Sequence, residues 1–327
     1  MAPRRPATTK PRVQAASVSR PRPSAPLATT KGAQVGDRLG VRKTYKLYIG
    51  GEFPRTESGR AYEIHGAKGE LLANACRGTR KDIRDAVRAA RKALPGWSSK
   101  TAYNRSQILY RIAELLEGRR EQFIGEVMAA EGVGRQRATR LVNAAIDRWV
   151  WYAGWADKFS QMNGSVNQVA GSYFNFSVPE PTGVVGVIAP EGSSLLGLVS
   201  RLAPVIVSGN CAVVLASETR PLPAVTLTEV LATSDVPGGV VNLITGLRRE
   251  LVTHLAGHMD VNALDAYGLD PAQGAAVEEL ATENVKRLVR PPGGGADGVD
   301  WLSPKSQSPY LIGEFTETKT VWHPIGA

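Results

Sequence analysis

The chain is poor in the residues that build covalent or metal frameworks: of 327 residues, two are cysteine and four are histidine. Two thiols, Cys76 and Cys211, cannot make a disulfide framework, and no metal-ligand spacing surrounds them. His254 and His258 stand four apart, but with no third ligand or glutamate-centred motif they read, like His65 and His323, as surface residues, and no metal site is expected. No apolar run reaches the ~18 residues of a membrane span. The opening Met1-Ala2-Pro3-Arg4-Arg5-Pro6 is followed by no apolar core, which argues against a secretory signal, although an Arg-rich, acid-poor start also suits an organelle transit peptide. Few cysteines and no span make a cytoplasmic, reducing setting the expectation.

Acid is scarce in one region. Residues 1–46 hold eleven Lys or Arg against one acid, Asp37, so the net charge of +10 resides there and the rest is balanced. This stretch is rich in Pro, Ala, Ser and Thr and has few large apolar groups. It cannot bury enough surface to offset its chain entropy, so residues 1–45 are expected to be a disordered basic tail. A solubilising role, a docking arm for an acidic protein surface and a nucleic-acid tether all fit the charge. Nucleic acid is the weakest of these, because no aromatic or Gly-Arg repeat accompanies the basic residues.

From residue 46 onward the patterns become regular. "KLYIGGEF" (46–53) alternates around Gly50-Gly51 and predicts a strand pair, and 64–76 holds a further strand. Thr79 and Asp82 offer caps for a helix that Pro95 and Gly96 should end. Helical spacing returns over 104–131 and again over 138–159, where Trp149, Trp151, Tyr152 and Trp155 form a stripe read as core. "SVNQVAGSYFNFSVPEP" (165–181) alternates, turns at Ala170-Gly171 and alternates again, the signature of a hairpin in which Tyr173 and Phe176 face opposite sides. Short apolar strands then alternate with helices: strands at 184–189, 211–215, 240–244 and from 261, helices at 195–207, 222–232, 250–256 and 271–281. Such alternation predicts an α/β fold, a Rossmann-like parallel sheet with right-handed crossovers. "PPGGGADGVDWLSPKSQSP" reads as a linker, and a last strand is expected near 317–322.

Between Glu180 and Gly246, "PTGVVGVIAP", "APVIVSGNCAVVLASE" and "VPGGVVNLITG" follow one another, and "NVKRLV" lies at 284–289. In this order they resemble the cofactor-binding half of aldehyde dehydrogenases, over residues 46–290 and the final strand. The resemblance implies an N-terminal helical part of that domain at 46–163, an oligomerisation hairpin at 164–181, a Rossmann-like NAD-binding-like domain at 182–290, a linker at 291–309 where the family carries its catalytic domain, and a C-terminal oligomerisation strand at 310–327. Tyr173, Phe176, Thr320 and Trp322 are the expected assembly residues.

The departures from the family pattern concern chemistry. Active members follow the first strand with Trp-Asn-Phe-Pro, whose asparagine helps hold the oxyanion; here Glu191-Gly192-Ser193-Ser194 stands there, without that donor and with a carboxylate beside the developing anion. The family's Lys-Pro-Ser-Glu run contacts the cofactor ribose. Here Ala216-Ser217-Glu218 keeps only Glu218 as a candidate cofactor residue. The phosphate loop is replaced by "LDAYGLDPAQG", where Asp265 and Asp270 put carboxylates near a helix start that would otherwise attract phosphate, and Asp270 before Pro271 makes a good N-cap for that helix. The general base and nucleophilic cysteine should follow "NVKRLV", yet Arg290-Pro291-Pro292 opens the linker and no cysteine follows Cys211. No catalytic residue is therefore expected, and none or only weak NAD(P) binding. The resemblance implies a non-catalytic subunit partnered with a full-length aldehyde dehydrogenase, or with copies of itself. An NAD(P)-binding sensor or weak oxidoreductase is the alternative.

Overall fold

The computed structural model describes residues 41–291 and 298–326; the expected disordered tail up to residue 40, residues 292–297 of the linker and residue 327 lie outside the described residues. Among the described residues a small sheet comes first: β1 (Thr44–Tyr45), β2 (Ala61–His65) and β3 (Leu71–Cys76), in the order β1-β3-β2. The expected disordered tail of 1–45 is thus corrected at its end, where Thr44 and Tyr45 pair with Asn74 and Ala75 of β3. The expected strand pair at 46–53 is a tight turn instead. Ile49 and Glu52 bridge across Gly50-Gly51, both at positive φ, and Tyr48 bridges to Leu243 of the main sheet. A side chain at Gly51 would meet the Gly238 backbone at 2.9 Å, so this turn is seated in contact with the core.

Four long helices follow: α1 (Arg80–Ser98), α2 (Ala102–Gly118), α3 (Arg120–Glu131) and α4 (Arg135–Trp155), then the short α5 (Phe159–Asn163). Thr79 caps α1, and Asp82 returns the bond to the Thr79 amide at 2.7 Å. The helix does not stop at Pro95. Trp97 is fully buried and donates its indole N–H to the Ile206 carbonyl at 2.9 Å, which draws one more turn onto the core and outweighs the bond lost at proline. The expected single helix over 104–131 is two, broken at Gly118-Arg119 so that Leu116 and Phe123 can both be buried. In the aromatic stripe, Trp149 and Tyr152 enter the core, whereas Trp151 and Trp155 pack at its margin.

The hairpin consists of β4 (Ser165–Asn167) and β5 (Tyr173–Pro181). The alternation beyond it yields β6 (Val184–Ile188), α6 (Leu196–Val207), β7 (Cys211–Leu215), α7 (Leu222–Leu231), β8 (Val241–Ile244), α8 (Arg248–Ala256), β9 (Ala263–Asp265), α9 (Gly274–Thr282) and β10 (Arg287–Val289). The five strands form one parallel sheet in the order β10-β9-β6-β7-β8. Every residue of β6, β7, β8 and β9 is buried, as a parallel sheet covered on both faces requires. The fold is α/β and Rossmann-like. Among the described residues no helix is long and apolar enough to cross a membrane.

The stretch read as a linker differs most from expectation. From residue 298 it is a packed strap: Trp301, Ile312 and Phe315 are buried, a 3-10 turn spans Pro304–Ser306, and α10 (Tyr310–Gly313) leads into β11 (Thr316–Pro324). Three buried aromatic or aliphatic side chains outweigh its proline and glycine content. β11 pairs antiparallel with β5 over its whole length, from Thr316 opposite Pro181 to Pro324 opposite Tyr173, giving the sheet order β11-β5-β4.

Candidate cofactor cleft and assembly edge

The strand order places a topological switch at β6, whose chain successor β7 lies on one side and β9 on the other. In such sheets ligands bind outside the carboxyl ends of the strands at that point. A cleft of about 730 Å³ lies there, lined among others by Glu191, Glu218, Arg248, Leu269 and Asp270.

Its charged groups are committed to one another. Glu191 follows β6 and reaches the loop after β7: it accepts hydrogen bonds from the Ser217 hydroxyl (2.6 Å), the Glu218 amide (2.8 Å) and the Thr219 hydroxyl (2.9 Å). Its carboxylate also pairs with the Arg248 guanidinium at 2.7 Å. Burial alone would push the Glu191 carboxyl up, but Arg248 and these three donors hold it below the ordinary value. The expectation that Glu191 adds free negative charge is thus corrected, since its charge is spent on a loop and a guanidinium. Arg248, almost fully buried, donates its remaining N–H groups to the Ala189 and Gly268 carbonyls and so joins the loops after β6 and β9.

Glu218 turns toward protein, where Oε2 accepts the Arg248 backbone amide at 2.7 Å, the first amide of α8. Asp270 Oδ1 accepts the Ala272 amide at 2.9 Å and caps the 3-10 turn Pro271–Gln273 that leads into α9. Asp265 departs from expectation: it lies fully buried at the end of β9, paired with Arg201 of α6 at 2.6 Å and accepting the Tyr267 amide, away from any helix start. Arg201 also pairs with Glu314 of the strap at 2.8 Å and lies 3.8 Å from the centre of the Tyr267 ring. Burial would lower its pKa, but the two carboxylates hold it above the ordinary guanidinium value. Arg201 and Arg248 escaped the sequence reading; the signal was a single arginine inside the otherwise apolar run "LGLVSRLAPVIV" and an Arg pair opening α8.

The thiols are buried, and burial pushes that of Cys211 up to about 12. Among the described residues no group of three or more His, Cys, Asp or Glu could hold a metal.

An aldehyde dehydrogenase family model matches residues 54–298. The chain belongs to the aldehyde dehydrogenase family. Similar relatives include a D-glyceraldehyde dehydrogenase (NADP(+)) of Thermoplasma acidophilum, 30% identical over 78% of this chain and 52% of that protein, and aldehyde dehydrogenase 1A1 of Gallus gallus, 29% identical over 79% and 51%. Among solved structures, the NAD+ complex of an aldehyde dehydrogenase from Bacillus cereus superposes with a TM-score of 0.71 at 26% identity, covering 76% of this chain and 50% of that one. The chain spans about half the length of the family members it matches.

The four remaining expected residues come together on the β11-β5-β4 sheet. Tyr173 packs edge-on against Trp322 at 5.7 Å, and on the same face Thr320 and Ser177 share a hydroxyl hydrogen bond of 2.9 Å. Phe176 lies on the opposite face beside Phe174, their centroids 5.4 Å apart. Trp322 is 58% exposed and Tyr173 45%, and among the described residues no strand pairs with the outer edge of β11.

Proposed function

We propose that this family member is a non-catalytic subunit that joins a full-length aldehyde dehydrogenase and stabilises or regulates it. One observation carries the reading: at the cleft, Glu218 and Asp270 occupy the amides at the starts of α8 and of the turn leading into α9. A pyrophosphate binds where such amides are free and the helix end attracts negative charge. Here it would have to displace two carboxylates and then remain beside them, so these residues do not fit a tightly bound dinucleotide. No step through NAD(P) is derived.

Two further features support the proposal. Oxidation of an aldehyde through a covalent intermediate needs an activated thiolate; Cys211 is fully buried and its raised pKa keeps it protonated at neutral pH. Between β10 and β11, where the family resemblance puts the nucleophile, this chain has only the strap and no cysteine. The outer edge of β11 meanwhile presents a row of main-chain groups flanked by Trp322 and Tyr173, the form of surface that takes up a partner's strand by β-addition.

The test is co-expression of the tagged chain with a full-length aldehyde dehydrogenase from its own host, with mass photometry of the eluate. A complex of fixed ratio is the expected result. Aldehyde oxidation by the purified chain alone, with one tightly held NAD+ per chain, would overturn the proposal. The persistence of a 730 Å³ cleft favours nucleotide sensing as the second reading. Calorimetry separates the two, because a dissociation constant weaker than about 1 mM, near −4 kcal/mol, leaves no room for a sensor.

A further inference from the structure

A second concavity lies between α1 and the carboxyl end of α8, with a volume of about 370 Å³. Its walls are Arg80, Lys81 and Arg84 from α1 and His254 and His258 from α8 and the residues just after it, over a floor that includes Ile83. No carboxylate lines it. Along α1 the arginines at 80, 84, 88 and 91 follow helical spacing, so they form one stripe beside this groove.

Two of the nearby acids are engaged away from the groove, and two pair at its rim with Lys81 and Arg84, pairs that an anion would have to displace. Asp82 points into the cap, where its Oδ2 accepts the Thr79 amide, the Thr79 hydroxyl and the Thr56 hydroxyl. Glu250 pairs with Arg77, Glu57 with Lys81, and Asp85 with Arg84, the last two at surface positions where ion pairs contribute little. Arg80 has no ion pair among the described residues. His258 Nδ1 accepts the Asp260 amide at 3.2 Å, so in the neutral ring the proton resides on Nε2, a donor with no partner among the described residues. The carbonyl end of α8 does not oppose an anion strongly, because the Gly257 and His258 amides already bond the Thr253 and Leu255 carbonyls.

We propose that this groove binds a small phosphate-bearing metabolite through Arg80, Lys81, Arg84 and the two histidines. Guanidinium forks match phosphate oxygens two at a time, and a dianion uses several cations where a single carboxylate would leave most unpaired. The volume suits a small molecule, and no Phe, Tyr or Trp lines the groove for bases to stack on. The groove lies toward the other end of α8 from the cleft, which Arg248 and Arg249 line, and shares no lining residue with it, so the proposal goes beyond the assembly role and stands or falls separately.

Histidine ring resonances followed by NMR on the full chain test it, with pyrophosphate and inorganic phosphate as probes and sodium chloride at matched ionic strength as control. A saturable shift of His254 and His258 is expected, with the His258 pKa rising as the anion binds. The Arg80→Ala/Arg84→Ala double variant should weaken binding at least tenfold while leaving the thermal midpoint unchanged, since both side chains are exposed. An unsaturable response, one matched by chloride, or undiminished binding by the double variant would overturn the proposal. So would capture of a single-stranded oligonucleotide more tightly than pyrophosphate, which would make the groove part of a nucleic-acid surface.

Discussion

Arg201 is the residue whose removal should be felt most widely, because it holds the end of β9 and the strap together. The Arg201–Asp265 pair is 2.6 Å long, with side chains 1% and 0% exposed, and Glu314 completes it from the strap at 2.8 Å. Replacing one member of such a pair leaves a buried charge unmatched, at a cost of about 3–5 kcal/mol. Whole domains are stable by only ~5–15 kcal/mol, so Arg201→Met, which strands the fully buried Asp265 carboxylate, should remove a large fraction of the total. The Arg201→Met/Asp265→Leu double variant removes both charges and should recover most of the loss. Glu314 is one-third exposed, so Glu314→Gln should cost about 1 kcal/mol and act locally, speeding proteolysis between residues 291 and 310 more than elsewhere. Urea titrations compared at constant slope give the four stabilities of the cycle: the parent, Arg201→Met, Asp265→Leu and the double variant. An Arg201→Met variant within 1 kcal/mol of the parent, or a double variant no better than the worse single, would refute the reasoning.

Other measurements probe the cleft and the core. Glu218→Ala should lower stability by about 1 kcal/mol through loss of the α8 cap and leave NAD+ affinity unchanged in calorimetry; a drop in affinity would show that Glu218 serves a ligand. The Glu191 pKa is held down in the fold, so its contribution is present above the ordinary glutamate value near 4.5 and lost as pH falls through the folded value. Glu191→Gln should therefore flatten the acid limb of a melting-temperature profile, and an unchanged limb would exclude this role. Glu126 behaves in the opposite sense: burial pushes its carboxyl up, so its stabilising form is the protonated one and is lost as pH rises through the folded value. Glu126→Gln should melt higher than the parent at pH 8 and equally at pH 4, and a lower melting point at pH 8 would contradict this. Trp301→Ala should cost about 3–5 kcal/mol by emptying the strap's anchor, measurable in the same urea series.

The sheet was legible because its strands are short apolar runs separated by helices with their own 3.6-residue period, a pattern with few architectural solutions. Asp270 was also readable as a cap, since the bond it makes is local and Asp-Pro fixes its geometry. The roles of Glu191, Glu218 and Asp265 were not, because each is decided by a partner distant in sequence: Arg248 for the first two, Arg201 for the third. A carboxylate in a loop looks the same whether it faces solvent, a ribose or a guanidinium. The strap was misread for a related reason. Its prolines and glycines advertise a linker, while the burial of Trp301 and Phe315 depends on the shape of α4 and α6 beneath them. Pro95 shows the same limit, as a local breaker signal yields to the fixed place of Trp97.

The ladder between β5 and β11 also bears on how fast any complex can form. Because β11 is hydrogen-bonded to its own chain along its full length and tethered through Phe315 and Ile312, exchanging it with another subunit would require unzipping that ladder and lifting the strap. Addition at its outer edge requires neither. Association by that route should proceed at ordinary bimolecular rates, scale with the concentration of both chains and need no denaturant or heat, whereas a domain-swapped product would form only at the pace at which the ladder and strap open.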